Sequence, residues 1–244
     1  MSEVAEFLRS VEGNIERLKK DDALHELSRR WLEAVTPHKY SHNFTWMGRP
    51  IIQVPQDVMA MQEIVWKIRP DLIVETGVAH GGSLIFYASM LELIGEGEVV
   101  GIDIEIRPHN REEIEKHSMA KRIVLVQGSS VEKTTVDAVH ALARNKKRVL
   151  VVLDSNHTHA HTLAELNAYS GLVKKGGYLV VFDTAIEDLP DELFGDRPWK
   201  KGDNPKTAVW EFLRRSDRFR IDKDIEAKLQ ITVAPDGYLL CVKD

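Results

Sequence analysis

Cysteine is nearly missing from this chain. One residue, Cys241, stands among 244, so no intramolecular disulfide and no multi-cysteine zinc module can form. Positive charge is not in surplus either. Against 38 Asp and Glu there are 33 Lys and Arg, a formal charge of −5, which gives nucleic acid no global field to bind. No stretch approaches the roughly 18–20 apolar residues that span a bilayer, and the charged opening MSEVAEFLRSVEGNIERLKK has no leader-like apolar run. Glycine and proline, at 15 and 9, are too few for a collagenous or low-complexity chain. These absences predict a cytoplasmic, compact protein with neither a membrane nor a nucleic-acid partner. With 43% hydrophobic residues, a chain of this length builds a full core without staples.

Two patterns divide the chain. In residues 3–34, Val4, Phe7, Leu8, Val11, Ile15, Leu18, Leu24, Leu27, Trp31 and Leu32 recur at helical spacing. This predicts an amphipathic helix able to pack on the main body or on a second subunit, hence a homo-oligomer. Residues 36–56 have no period but hold Tyr40, Phe44 and Trp46, the mark of a functional loop or a packed wrapper. From residue 57 helix and strand alternate. Strands are expected at 72–75, 98–102, 123–126, 149–153 and 178–182, with helices at 57–67, 83–94, 111–118, 131–144 and 158–172. Five such alternations indicate a doubly wound parallel sheet. The tail, a helix at 205–215 and apolar runs at 229–233 and 238–242 around Pro235-Asp236-Gly237, reads as a closing antiparallel hairpin. The division is therefore an N-terminal extension, residues 1–56, and one α/β domain, residues 57–244.

In open α/β sheets ligands bind beyond the carboxyl ends of the strands. Several unusual residues fall there: Glu75, Gly77, Gly81, Gly82 and Ser83 after the first strand, Asp103 after the second, Gly128 and Ser129 after the third, then Asp154 and Asp183. The string E-x-G-x-x-x-G-G-S is not the dinucleotide fingerprint G-x-G-x-x-G. An acid two places before the first glycine repels pyrophosphate but suits an ammonium and a sulfonium, which points to S-adenosylmethionine (SAM). Asp103 can accept both hydroxyl protons of a ribose. Asp154 and Asp183, ending neighbouring strands, can share a hard cation such as Mg²⁺, which would polarise a substrate hydroxyl. An imidazole is the side chain best suited to general-base work near neutral pH, which makes His157 a candidate base. Other readings of these residues stay open: Asp154 as a helix cap, His157, His159 and His161 as zinc ligands, or Asp154, His157 and His161 as an oxygenase iron site.

The strings FTWMGRPIIQVPQD (44–57), PDLIVETGVAHGGS (70–83), VVGIDIEIRP (99–108), QGSS (127–130), VLDSNHTHAHTLAEL (152–166), GGYLVVFDT (176–184), NPKTAVWEFL (204–213) and ITVAPDGYLLCV (231–242) resemble the cephalosporin hydroxylase family. Despite its label, that family consists of SAM-dependent methyltransferases, among them the cephamycin-pathway enzyme and rhamnosyl O-methyltransferases. The resemblance implies a class I methyltransferase, Rossmann-like, with a seven-stranded sheet. It implies that Glu75, Gly77 and Ser83 line the methionine end of SAM, that Asp103 holds the ribose and that Gln127, Gly128 and Ser129 border the adenine. Asp154 would bind both near the cofactor and to Mg²⁺. The family often has Glu-Asp where this chain has Phe182-Asp183, so one ligand is missing unless Asp188, Glu187 or water replaces it. Residues 42–56 would fold over the acceptor, which makes Tyr40, Phe44, Trp46 and Gln53 candidate substrate residues. The reaction expected is O-methylation of a small polyhydroxylated metabolite, with His157 and Asp154 as the catalytic pair. The loop 187–203, with Trp199, is a candidate lid. Rival expectations are a nicotinamide-dependent dehydrogenase and a non-catalytic SAM-binding partner of an oxygenase.

Overall fold

The computed structural model describes residues 2–244. The expected N-terminal helix is two helices, α1 (Glu3–Leu18) and α2 (Asp22–Val35). The break has a local cause: Asp21 leaves helical geometry and its side chain accepts from Leu24 N at 3.0 Å, capping α2. Within the leader, β1 (Phe44–Trp46) and β2 (Arg49–Ile51) form a small antiparallel hairpin that the aperiodic sequence did not announce.

α3 (Pro55–Ile68) opens the alternating part, with proline in its first turn. The strands β3 (Leu72–Thr76), β4 (Glu98–Asp103), β5 (Ile123–Gln127), β6 (Val149–Leu153) and β7 (Tyr178–Val181) follow, all parallel. They alternate with α4 (Gly82–Ile94), α5 (Pro108–Lys116), α6 (Lys133–Ala143) and α7 (His159–Tyr169). Successive side chains turn to opposite faces. Ile73, Leu150, Val152 and Val180 pack with Met61, Ile64 and Leu91 of α3 and α4 on one side. Leu72, Val74, Val151 and Val181 pack with Val139 and Leu166 on the other.

α8 (Pro205–Arg215) starts from a complete capping box on Asn204 and Thr207. The tail corrects the expected hairpin in detail. Residues 229–233 form no strand: Asp222 caps a further helix, α9 (Lys223–Leu229), through Asp224 N. The outer strand is β8 (Phe219–Ile221), and β9 (Tyr238–Cys241) runs antiparallel to both β7 and β8. The seven-stranded order is β5-β4-β3-β6-β7-β9-β8. The chain leaves β3 in one direction and returns to β6 on its other side, so the switch point of the sheet lies between their ends. No helix among the described residues is long and apolar enough to cross a membrane.

Candidate active site

At the end of β3, Glu75 is 1% exposed and accepts from Ser83 Oγ at 2.9 Å in the first turn of α4. The chain then bends at Gly77, with φ at +91°, and a Cβ there would lie 2.0 Å from the Asp154 carbonyl oxygen. Only glycine lets the β3–α4 turn pass so close to the end of β6. Gly82 has the same constraint on the other side, where a Cβ would meet Pro50 O at 2.1 Å. Asp103 ties β4 to this turn: Oδ2 accepts from Val78 N and Ala79 N at 2.9 and 3.4 Å, and Oδ1 from Glu105 N at 3.1 Å.

These ends enclose a cavity of about 520 Å³ whose wall includes Gln53, Gly77, Ser83, Asp103, Ser129, Asp154, His157 and Asp183. Gln127, Gly128 and Glu75 stand outside that wall, whereas Ser129 and its neighbour Ser130 belong to it. Gly128 instead bridges strands, its N–H donating to Asp103 O at 2.8 Å.

Asp154, His157 and Asp183 each present one ligand atom, all within 4.8 Å of one another. His157 Nε2 lies 3.2 Å from Asp183 Oδ2, and Gln53 Nε2 donates to Asp154 Oδ2 at 3.2 Å. The Gln53 Oε1 atom is buried without a partner among the described residues. Burial, then the charges of Asp183 and Glu75, push the Asp154 carboxyl well above its ordinary range. Burial alone raises Glu75 from 4.5 to about 8, although the Ser83 bond opposes it. Carboxylates held this way favour a cation among them. The donor set fits both cations considered: two carboxylate oxygens for a hard divalent ion, and a glycine-walled acid for an ammonium. His157 is a softer nitrogen donor, less suited to such an ion than the two acids.

Neither acid that could replace the missing ligand reaches the site. Glu187 accepts from Gly202 N and Asn204 Nδ2, and Asp188 pairs with Lys206 Nζ at 2.6 Å. Phe182 is buried in the core. The three histidines also diverge, which removes the zinc and iron readings. His159 turns to Thr207 and Glu211, and His161 to Ser130 and the buried Glu165.

The aromatic leader is the main correction. Tyr40 packs edge-on against Trp31 and Phe44, at 5.0 and 5.2 Å between ring centres. Trp46 packs on Phe86 and donates to Ser89 Oγ at 3.0 Å. None of the three lines the cavity: Tyr40 and Trp46 clamp the leader to α2 and α4, and Phe44 packs on Tyr40 and the core. The leader reaches the cavity through His42, Pro50, Ile52 and Gln53 instead. Ser130 and His161 also stand in the cavity wall, although His161 was considered only as a metal ligand and neither was assigned a binding role. Ser130 and His161 carry a signal in retrospect, since both follow strand ends.

A family model described as Rhamnosyl O-methyltransferase/CmcI matches residues 38–242. A rhamnosyl O-methyltransferase of Mycobacterium leprae (strain TN) is 26% identical over 249 residues, covering 98% of this chain and 99% of the relative. The enzyme of that description from Mycobacterium tuberculosis (strain ATCC 25618 / H37Rv) is 27% identical over 233 residues, covering 91% and 86%. Among solved structures, CmcI with Mg-SAM aligns with a TM-score of 0.57 at 22% identity, over 82% of this chain and 77% of that one. The O-methyltransferase NovP aligns at 0.53 and 16%, over 78% and 80%. These likenesses share the fold, a class I methyltransferase sheet.

Proposed function

The chain belongs to the rhamnosyl O-methyltransferase/CmcI family, and from that premise we propose that it transfers the methyl group of SAM to a hydroxyl of a sugar, glycoside or other polyhydroxylated metabolite. The observation that carries this reading is the convergence of Asp154, Asp183 and His157 in the cavity beside the Gly77 turn, with the buried Glu75 hydrogen-bonded to the wall residue Ser83 and close enough to raise the Asp154 carboxyl. SAM supplies an electrophilic methyl on a sulfonium, and Mg²⁺, held by Asp154 and Asp183, would polarise the acceptor hydroxyl. Glu75 and Ser83 bind the methionine end, with Gly77 leaving room for it. Asp103 holds the ribose, and Ser129 borders the adenine. Because His157 Nε2 faces the Asp183 carboxylate, that nitrogen carries the hydrogen and Nδ1 keeps the lone pair. His157 Nδ1 would take the acceptor's hydroxyl proton as its oxygen attacks the methyl carbon, the S–CH3 bond breaking to leave S-adenosylhomocysteine as a neutral thioether. Gln53, in the cavity wall and bonded to Asp154, is the residue of the leader proposed to meet the acceptor. The exposed apolar stripe of α1 supports a homo-oligomer as a further part of this proposal.

Calorimetry with SAM, and transfer of labelled methyl from SAM to methyl α-L-rhamnopyranoside, test this. Wild type is expected to bind SAM and methylate the glycoside. Asp103→Ala should abolish SAM binding and Asp154→Ala should spare it while losing turnover. Chelation should lower turnover and added Mg²⁺ restore it. Unchanged SAM affinity in Asp103→Ala would sink the cofactor assignment, and full turnover after chelation would remove the metal.

A further inference from the structure

The loop 187–203 touches the segment bearing His157 at two points. Asp203 Oδ1 accepts from His159 N at 2.8 Å. Trp199 meets the His157 ring with its plane at 90° and the ring centres 4.8 Å apart. Trp199 also belongs to the cavity wall, where it is the one indole among the described residues.

The arm that delivers this indole is braced. Glu187 Oε2 accepts from Gly202 N at 2.8 Å and Asn204 Nδ2 at 2.5 Å, and Asp191 Oδ1 from Lys201 N at 2.8 Å. Lys200 and Asp203 exchange two backbone hydrogen bonds, at 3.0 and 2.9 Å. Trp199 therefore directly precedes a turn fixed by contacts outside the cavity. The Arg197 guanidinium lies 5.2 Å from its ring centre, a cation on an aromatic from the same arm.

The imidazole has few other restraints. Asn156 Oδ1 accepts from Thr158 N and Oγ1 at 3.0 and 2.8 Å, fixing the backbone around His157 but not its side-chain torsions. The Asp183 contact holds one nitrogen and leaves the ring able to swing about it. A perpendicular aromatic neighbour restricts that swing.

We infer that Trp199 is a positioning residue: its indole fixes the plane of the His157 imidazole for proton transfer from the acceptor, so that the 187–203 loop completes the base. This inference rests on the methyltransferase reading above. Trp199 itself exchanges no proton.

The test compares wild type with Trp199→Phe, Trp199→Leu and Trp199→Ala, each carrying ¹³C-labelled histidine, with His157→Gln to assign the His157 signal. Trp199→Ala and Trp199→Leu should both lose the ring-current displacement of that signal, and Trp199→Phe should retain it. In transfer from SAM to methyl α-L-rhamnopyranoside, kcat of the Ala and Leu variants should fall on the order of 10- to 100-fold, the scale of a misplaced catalytic group. Their acceptor KM and SAM affinity should stay within about twofold, and Trp199→Phe should recover most of the loss. The Leu variant decides the matter if the Ala variant does not fold. A raised acceptor KM at constant kcat overturns the inference, because the indole would then contact the acceptor. So does a His157 signal that ignores the substitutions. Failure of wild type itself to bind SAM and transfer methyl overturns the underlying reading, and is seen before any variant is compared.

Discussion

Glu75 ends the central strand almost fully buried, with Ser83 Oγ as its hydrogen-bond partner. Its carboxyl is raised from 4.5 to about 8 by burial, so the folded protein keeps a proton that the unfolded chain releases over that interval. Stability contributed by the neutral acid is complete below the unfolded pKa and is lost as pH rises through the folded one. The ligand-free protein should therefore unfold at falling temperatures between about pH 5 and pH 8. The loss should reach a few kcal/mol, at ~1.4 kcal/mol for each pH unit that separates the folded pKa from the unfolded one. Glu75→Gln should flatten that slope in thermal unfolding and raise the melting temperature on its alkaline side. It should also weaken SAM about 10- to 100-fold in calorimetry, since a charge-assisted partner for the ammonium is gone. A variant with wild-type pH dependence and wild-type affinity would mean that Glu75 neither titrates there nor meets the cofactor.

Among the elements, α3 is tied to the C-terminal part of the chain by a buried residue, Asp57, besides the surface pair of Glu63 with Lys228. Asp57, wholly buried, accepts from Thr232 Oγ1, Val233 N and Tyr238 Oη at 2.5, 2.9 and 2.7 Å. Asp57→Ala leaves three donors without that acceptor, which should cost about 3 kcal/mol or more in urea unfolding. Val233 belongs to the cavity wall, so SAM affinity should fall with it. Equal stability in the variant would show that the three donors find other partners. None of this tie is visible from the sequence, where 57 and 232 are far apart. The parallel strands are visible because residues such as 149–153 are covered on both faces and read as unbroken apolar runs. β8 is three residues with Arg220 at its centre, at the edge of the sheet, and leaves no such run. The site's acids, Glu75, Asp103, Asp154 and Asp183, were legible for a related reason: a parallel sheet sends the residues after every strand to one end. Tyr40, Phe44 and Trp46 were misplaced because aromatic side chains satisfy packing and recognition equally well, and their partners are set by the tertiary fold.

For the whole molecule, the N-terminal helices are the least committed part. Neither α1 nor α2 has a buried residue, and Val4, Phe7 and Leu8 are 67%, 65% and 56% exposed on one stripe of α1. The sheet and its site do not use that stripe: the cavity wall begins at Ser41. An apolar helix face with this placement is stable in water when a like surface covers it, and the proposed homo-oligomer supplies one by two-fold pairing. Phe7→Glu with Leu8→Glu puts like charges on the stripe, which two paired copies would have to desolvate together. Sedimentation should then show wild type as a dimer or larger and the double variant as a monomer, with SAM affinity unchanged because the binding residues lie outside α1. A monomeric wild type would remove the oligomer and leave the stripe exposed. A double variant that keeps the wild-type mass would place the subunit contact elsewhere on the surface.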